Sequence, residues 1–258
     1  MKIGCCASID KAPLLYQAGY DFIECPVVAL QPEVKESECK RLFKAYEDSP
    51  LPVDVCNILL PPNLKIVGDD VDEKHIQQYI SSALERVHRI GAGTVVFGSG
   101  KSRSIQEGFS RERGEEQVLA FLEWTASCAE PLGITVVVEP LNRKESNLIN
   151  SIPEAVSLMK KVNRPSINVL ADFYHMQEEQ EPLSHIGENN SDIRHLHVAD
   201  TNRFAPGTGN YPYDQFVRQC RKVKSDVRLS IECQWHDFET EVVEALQFLR
   251  KKFDHKGE

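Results

Sequence analysis

The 258-residue chain has no apolar run near the ~20 residues needed to cross a bilayer, so no membrane partner is expected. Its first residues, "MKIGCCASID", lack the apolar core of a secretion signal, because acid follows a short apolar segment at once. Basic residues are not in excess. The net charge of -9 argues against a surface built to grip nucleic-acid phosphates. The eight cysteines contain no C-x-x-C pair and no regular spacing, which disfavours both cysteine-held zinc and a disulfide framework. Cys5, Cys6, Cys25, Cys56 and Cys233 fall within apparent strands and read as reduced core thiols of a cytoplasmic protein. A Gly-rich phosphate turn after the first strand is also missing. "CCASID" is not one, which disfavours an open doubly wound sheet. No linker or low-complexity segment divides the chain, so residues 1–258 read as one domain.

What is present is ordinary in amount and regular in order. Apolar residues make up 41% and charged residues 27%, enough for a sizeable core. Short apolar β-rich runs recur: "KIGCCA" (2–7), "DFIEC" (21–25), "VDVCNIL" (53–59), "TVVFGS" (94–99), "ITVVVEP" (134–140), "INVLAD" (167–172), "RHLHVAD" (194–200) and "RLSIECQ" (228–234). Nearly continuous apolar runs suit strands covered on both faces. Helical patterns lie between them. Ile76, Ile80, Leu84, Val87 and Ile90 keep helical spacing over 73–90, as do Phe238, Val242, Leu246 and Leu249 over 238–252. "SIPE" (151–154) reads as a helix start with Ser151 as cap and Glu154 closing a capping box. Gly19, Gly91 and Gly133 are placed to end helices in the left-handed conformation. Eight strand–helix units in 258 residues predict a single (β/α)8 TIM barrel.

In such a barrel, functional side chains sit where strands end and loops begin. Strand five ends in Glu139 and strand six in Asp172, with His175 close behind; strand seven carries His197 and strand eight Glu232. Singly, each has a structural explanation. Glu139 could pair with Arg143 or Arg203, Asp172 could cap a turn, and His197 could be a core histidine, as His195 is read to be. Together, on four consecutive strands, they point to one divalent cation, because buried carboxylates need a counter-charge. A mostly oxygen set with one imidazole suits Mn²⁺, with Mg²⁺, Co²⁺ or Zn²⁺ also compatible.

"VVVEPLNRKE", "VLADFYHM", "HLHVADTNRFAPGTG" and "LSIECQW" resemble the xylose-isomerase-like TIM-barrel superfamily, most of all its ketose 3-epimerase branch (D-tagatose and D-psicose 3-epimerases). The resemblance is strong in the second half and rests on strand order and "FGSGKSR" in the first. It implies a sugar isomerase or epimerase that inverts C3 of a ketose through an enediolate. It further implies that Glu139, Asp172, His197 and Glu232 bind metal and that Glu139 and Glu232 exchange protons. Glu145, His175 and Arg203 are implied to contact the substrate, a small sugar or sugar derivative. Two departures from the branch bear on substrate. Gln234 stands where some epimerases carry an aromatic residue, and Gly98–Arg103 replaces a loop that often carries tryptophan. With Lys101 and Arg103, that loop could hold a phosphate or carboxylate, or be a tight turn with solvated basic ends.

Other reactions through an enediolate, such as hydroxypyruvate isomerisation or inosose dehydration, would use the same ligands. An endonuclease IV-like trinuclear site needs histidines that "VCNILLPP", "VVFGSGKSR" and "FAPGTGNYPYD" do not contain. A non-enzymatic sugar-binding protein would leave two opposed acids unexplained. Whether the barrel pairs with a second copy is left open by the sequence.

Overall fold

Eight short parallel strands pair in chain order: β1 (Ile3–Cys6), β2 (Phe22–Pro26), β3 (Val53–Asn57), β4 (Thr94–Phe97), β5 (Thr135–Val138), β6 (Ile167–Asp172), β7 (Ile193–Val198) and β8 (Arg228–Ile231). β8 returns to β1, with Leu229 opposite Ile3, and closes the barrel. The computed structural model describes residues 1–254. Helices α1 (Ala12–Ala18), α2 (Lys40–Glu47), α3 (Glu73–Arg89), α4 (Gly100–Arg103), α5 (Arg111–Ala129), α6 (Ile152–Val162), α7 (Phe173–Glu178), α8 (Ser184–Glu188), α9 (Tyr213–Cys220) and α10 (Phe238–Asp254) fill the connections. The chain is therefore a (β/α)8 TIM barrel. Among the described residues, no helix is long and apolar enough to cross a membrane.

Helical spacing buries one face of each long helix. α3 buries Ile76, Ile80, Leu84 and Val87, and α10 buries Val242, Leu246 and Leu249. Each such side chain contributes roughly 1.5–3 kcal/mol when fully buried. Phe238 is half-buried instead, edge-on against Trp235 at 5.4 Å. The cap of α6 follows the sequence in part. Ser151 Oγ accepts from the Glu154 N–H at 3.3 Å, but the Glu154 carboxylate reaches the Asn150 N–H, one residue earlier than a reciprocal box requires. Gly19, Gly91 and Gly133 take the expected left-handed conformation, with φ of 93°, 84° and 68°. β8 ends before Cys233, which lies half-buried beyond the strand rather than within it.

Strand alternation divides the barrel interior into layers. Phe22, Val55, Val96, Val137 and Leu170 form an apolar cluster of their own, separate from the larger core between strands and helices. Gly4 has no side chain because Phe22 occupies its space: a Cβ there would lie 2.3 Å from the ring. One inward step further along the strands, the character changes to polar: Cys6, Glu24, Asn57, Gly98, Glu139, Asp172, His197 and Glu232. This second layer lies toward the C-terminal ends of the strands, the catalytic face of such barrels.

Candidate metal and catalytic site

His197 is the hub of the polar layer. It lies on β7 and is fully buried. Its Nδ1 is 3.0 Å from Glu139 Oε1, 3.5 Å from Glu232 Oε2 and 3.8 Å from Asp172 Oδ2. Glu139 comes directly after β5, Asp172 closes β6 and Glu232 follows β8. One ligand atom from each of the four lies within 4.8 Å of the others. Three carboxylates and one imidazole, crowded this closely and mostly buried, fit a divalent cation that prefers oxygen with one nitrogen. These residues could hold such an ion, and they meet as the strand positions predict.

The electrostatics show what crowding does to these groups. Burial raises the Glu139 carboxyl above its usual range, against the pull of His197. Burial likewise lifts Asp172 to about 6. Burial also pushes Glu232 upward, but His197 and Arg203 outweigh it and hold it down at about 2. On His197, burial favours the neutral ring, yet Glu24 and Glu232 outweigh it and raise the imidazole well above its ordinary value. A cation would offset the desolvation of these carboxylates more fully than a single imidazole does.

Arg203, Glu145 and His175 lie beside this cluster. Arg203 bridges two acids, donating from Nη1 to Glu145 Oε1 at 2.8 Å and from Nη2 to Glu232 Oε2 at 2.7 Å. Its guanidinium lies over the Tyr174 ring at 5.2 Å. Arg203 and Asn202 both have left-handed backbone, with φ of 62° and 61°. That conformation costs about 1–3 kcal/mol for such residues, and Asp200 holds the loop. Asp200 is buried and accepts from the N–H groups of Thr201, Gly207 and Tyr211. His175 is buried, and its Nδ1 faces the Asn142 N–H at 3.2 Å and the Asn142 Nδ2 at 2.8 Å. A nitrogen facing a backbone donor must accept, so Nε2 carries the hydrogen. That Nε2 has no hydrogen-bond partner among the described residues and lies 3.9 Å from Asp172 Oδ2, beside the cluster.

Residues 13–252 match the family model described as "Xylose isomerase-like TIM barrel". The chain belongs to that family. Among curated relatives, it is 25% identical over 164 residues to 3-dehydro-D-guloside 4-epimerase of Escherichia coli (strain K12), covering 60% of this chain and 63% of that protein. It is 30% identical over 158 residues to D-psicose 3-epimerase of Ruminiclostridium cellulolyticum, covering 58% of this chain and 52% of that one. The matched chain thus spans between half and two thirds of each relative's length. The solved D-psicose 3-epimerase of Clostridium cellulolyticum H10, determined with D-tagatose, has a TM-score of 0.85 at 19% identity, covering 98% of this chain and 99% of its own. It shares the fold.

Within this xylose isomerase-like barrel, several side chains lie where sequence reasoning did not put them. Arg103 does not face solvent or an anion. It is fully buried on α4 and donates to the carbonyls of Phe97 at 3.1 Å and Glu139 at 2.7 Å. Burial lowers its guanidinium to about 10. Arg103 therefore braces the backbone of Glu139 and does not hold an anion. Arg143 pairs with Glu179 at the surface and leaves Glu139 alone. Two functional candidates escaped the sequence reading. Glu24 on β2 is fully buried and meets both His195 Nε2 and His197 Nε2 at 2.9 Å. Asn57 on β3 places Nδ2 3.4 Å from Glu232 Oε1. The available signal was period two: Glu24 and Asn57 occupy the inward register shared by Phe22 and Val55.

Proposed function

We propose that this chain is a divalent-metal-dependent sugar epimerase that inverts a carbon beside a carbonyl, with C3 of a ketose as the target. The observation that carries the reading is the convergence of Glu139, from β5, and Glu232, from β8, on His197 Nδ1 at 3.0 Å and 3.5 Å. The named activities of the relatives, a ketose 3-epimerase and a 4-epimerase of a 3-keto sugar, support it. Both activities move a proton next to a carbonyl.

When bound, a divalent cation supplies a Lewis acid that polarises the substrate carbonyl, with Mn²⁺ the ion best suited to the donor set. Glu139, Asp172, His197 and Glu232 would hold it. The remaining chemistry belongs to side chains. One of the two glutamates takes the proton from C3, leaving an enediolate, and the other returns a proton to the opposite face. Each turnover leaves the two carboxyls in exchanged protonation states, so solvent must reset them. His175 Nε2–H donates to a substrate oxygen, and Asn142 fixes that tautomer. Arg203 and Glu145 orient hydroxyls at the rim.

A panel of ketoses, aldoses, inososes and 3-keto glycosides, incubated with Mn²⁺ in deuterated water and followed by NMR, tests the reading. Deuterium at C3 of a ketose, lost with EDTA and restored with Mn²⁺, is the expected result. Deuterium at C1 with aldose formation, or sugar binding without exchange, contradicts it.

A further inference from the structure

The barrel interior holds a carboxylate that the reaction does not use. Glu24, His195 and His197 are each fully buried. Glu24 Oε1 is 2.9 Å from His197 Nε2, and its Oε2 is 2.9 Å from His195 Nε2. The two rings stand nearly perpendicular at 5.0 Å, and Ser230 Oγ lies 3.2 Å from the same His195 nitrogen. Beneath them, Phe22 packs at 63° against His195. An imidazole can rotate, flip and carry its hydrogen on either nitrogen. Only one of those arrangements turns Nδ1 toward Glu139, Asp172 and Glu232 with its lone pair free for a cation held among them.

We propose that Glu24 is a positioning residue that accepts the Nε2–H of His197 on one oxygen and the Nε2–H of His195 on the other, fixing His197 with Nδ1 turned toward the metal ligands. This rests on the metal reading above. A carboxylate behind a metal-bound imidazole fixes its tautomer and raises its basicity, and loss of such a partner costs about 10- to 100-fold in metal affinity. His195 has a role in this arrangement. It satisfies the second oxygen of an acid that would otherwise be buried half-paired. Cys6, Glu24 and His197 also lie close enough to meet one cation. A cation between Glu24 and His197 Nε2 would displace the hydrogen that Glu24 is proposed to accept, so that arrangement is an alternative to this one.

The test titrates Mn²⁺ into the wild-type chain and Glu24→Gln, reading free Mn²⁺ by EPR, with thermal midpoints as the check on folding. The introduced amide keeps the volume but must turn its NH₂ toward one histidine. The expected result is one Mn²⁺ per wild-type chain and affinity about 10- to 100-fold weaker in Glu24→Gln. Equal affinity in a folded Glu24→Gln overturns the proposal and leaves the metal reading standing. A wild-type chain that binds no Mn²⁺ removes both. Two ions per wild-type chain, one of them lost in Cys6→Ser, overturns it in favour of a cation at Cys6. Should Glu24→Gln fail to fold, ¹⁵N shifts of the His197 ring in wild-type protein loaded with Mg²⁺ decide. Hydrogen on Nε2 is expected, and hydrogen on Nδ1 contradicts the proposal.

Discussion

The two halves of the barrel rim carry different side chains. Strands β5 to β8 supply the groups that could bind a cation and move protons: Glu139, Asp172, His197 and Glu232. Strands β1 to β4 supply few such groups, and what they supply faces the first set from behind. Glu24 meets His197, Asn57 meets Glu232, and Arg103, in the turn after β4, holds the carbonyl of Glu139. Gly98 yields space: a Cβ there would stand 2.2 Å from Glu139 Oε2. On the proposed function, one half of the ring would carry the chemistry and the other half would fix its geometry. A site built this way would depend on residues outside the proposed ligand set.

The comparison can be broken most sharply in the chemical half. Glu139→Gln and Glu232→Gln should each lower turnover by about 10²–10⁴-fold, the usual worth of a positioned acid or base. Steady-state kinetics with circular dichroism checks this, and near-native turnover in either variant removes that residue from proton transfer. The next largest effect should come from the supporting half. Gly98→Ala must displace the Glu139 carboxylate, and we expect Mn²⁺ affinity to fall about 10- to 100-fold, as for other lost supports of metal ligands. Unchanged affinity by calorimetry would mean that Glu139 can move without cost.

Arg203→Ala tests the rim. It removes two charged hydrogen bonds, and kcat/KM should fall about 10- to 100-fold while Mn²⁺ affinity changes little. A comparable fall in metal affinity would instead make Arg203 part of the metal's support. Asn57→Ala should have the smallest effect. A single long hydrogen bond of 3.4 Å to Glu232 is lost, so kcat should change by no more than about tenfold. A larger loss would place Asn57 among the groups that contact substrate.

Much of this was legible in the sequence, for physical reasons that can be named. The barrel is written in the spacing of short apolar runs and helical faces, because parallel strands covered on both sides must be apolar throughout. The cluster is visible because an acid or imidazole at the end of such a run is anomalous, and the anomaly repeats at Glu139, Asp172, His197 and Glu232. Glu24 breaks its strand in the same way, inside "DFIEC", but its partner is another residue's imidazole and not the expected cation. Pairing across the barrel joins residues far apart in the chain, and one strand carries no trace of which opposite strand it faces. Arg103 was misread for a related reason. Its charge suggests solvent or an anion, whereas two backbone carbonyls at the strand ends satisfy it in the interior. Such carbonyls leave no mark in side-chain identity.

The most direct measurement is the manganese anomalous signal from crystals of the chain soaked in Mn²⁺. One peak is predicted, within coordination distance of Glu139, Asp172, His197 Nδ1 and Glu232. No peak there, or a peak held by other side chains while these four stay turned to one another, would contradict the metal-centred site.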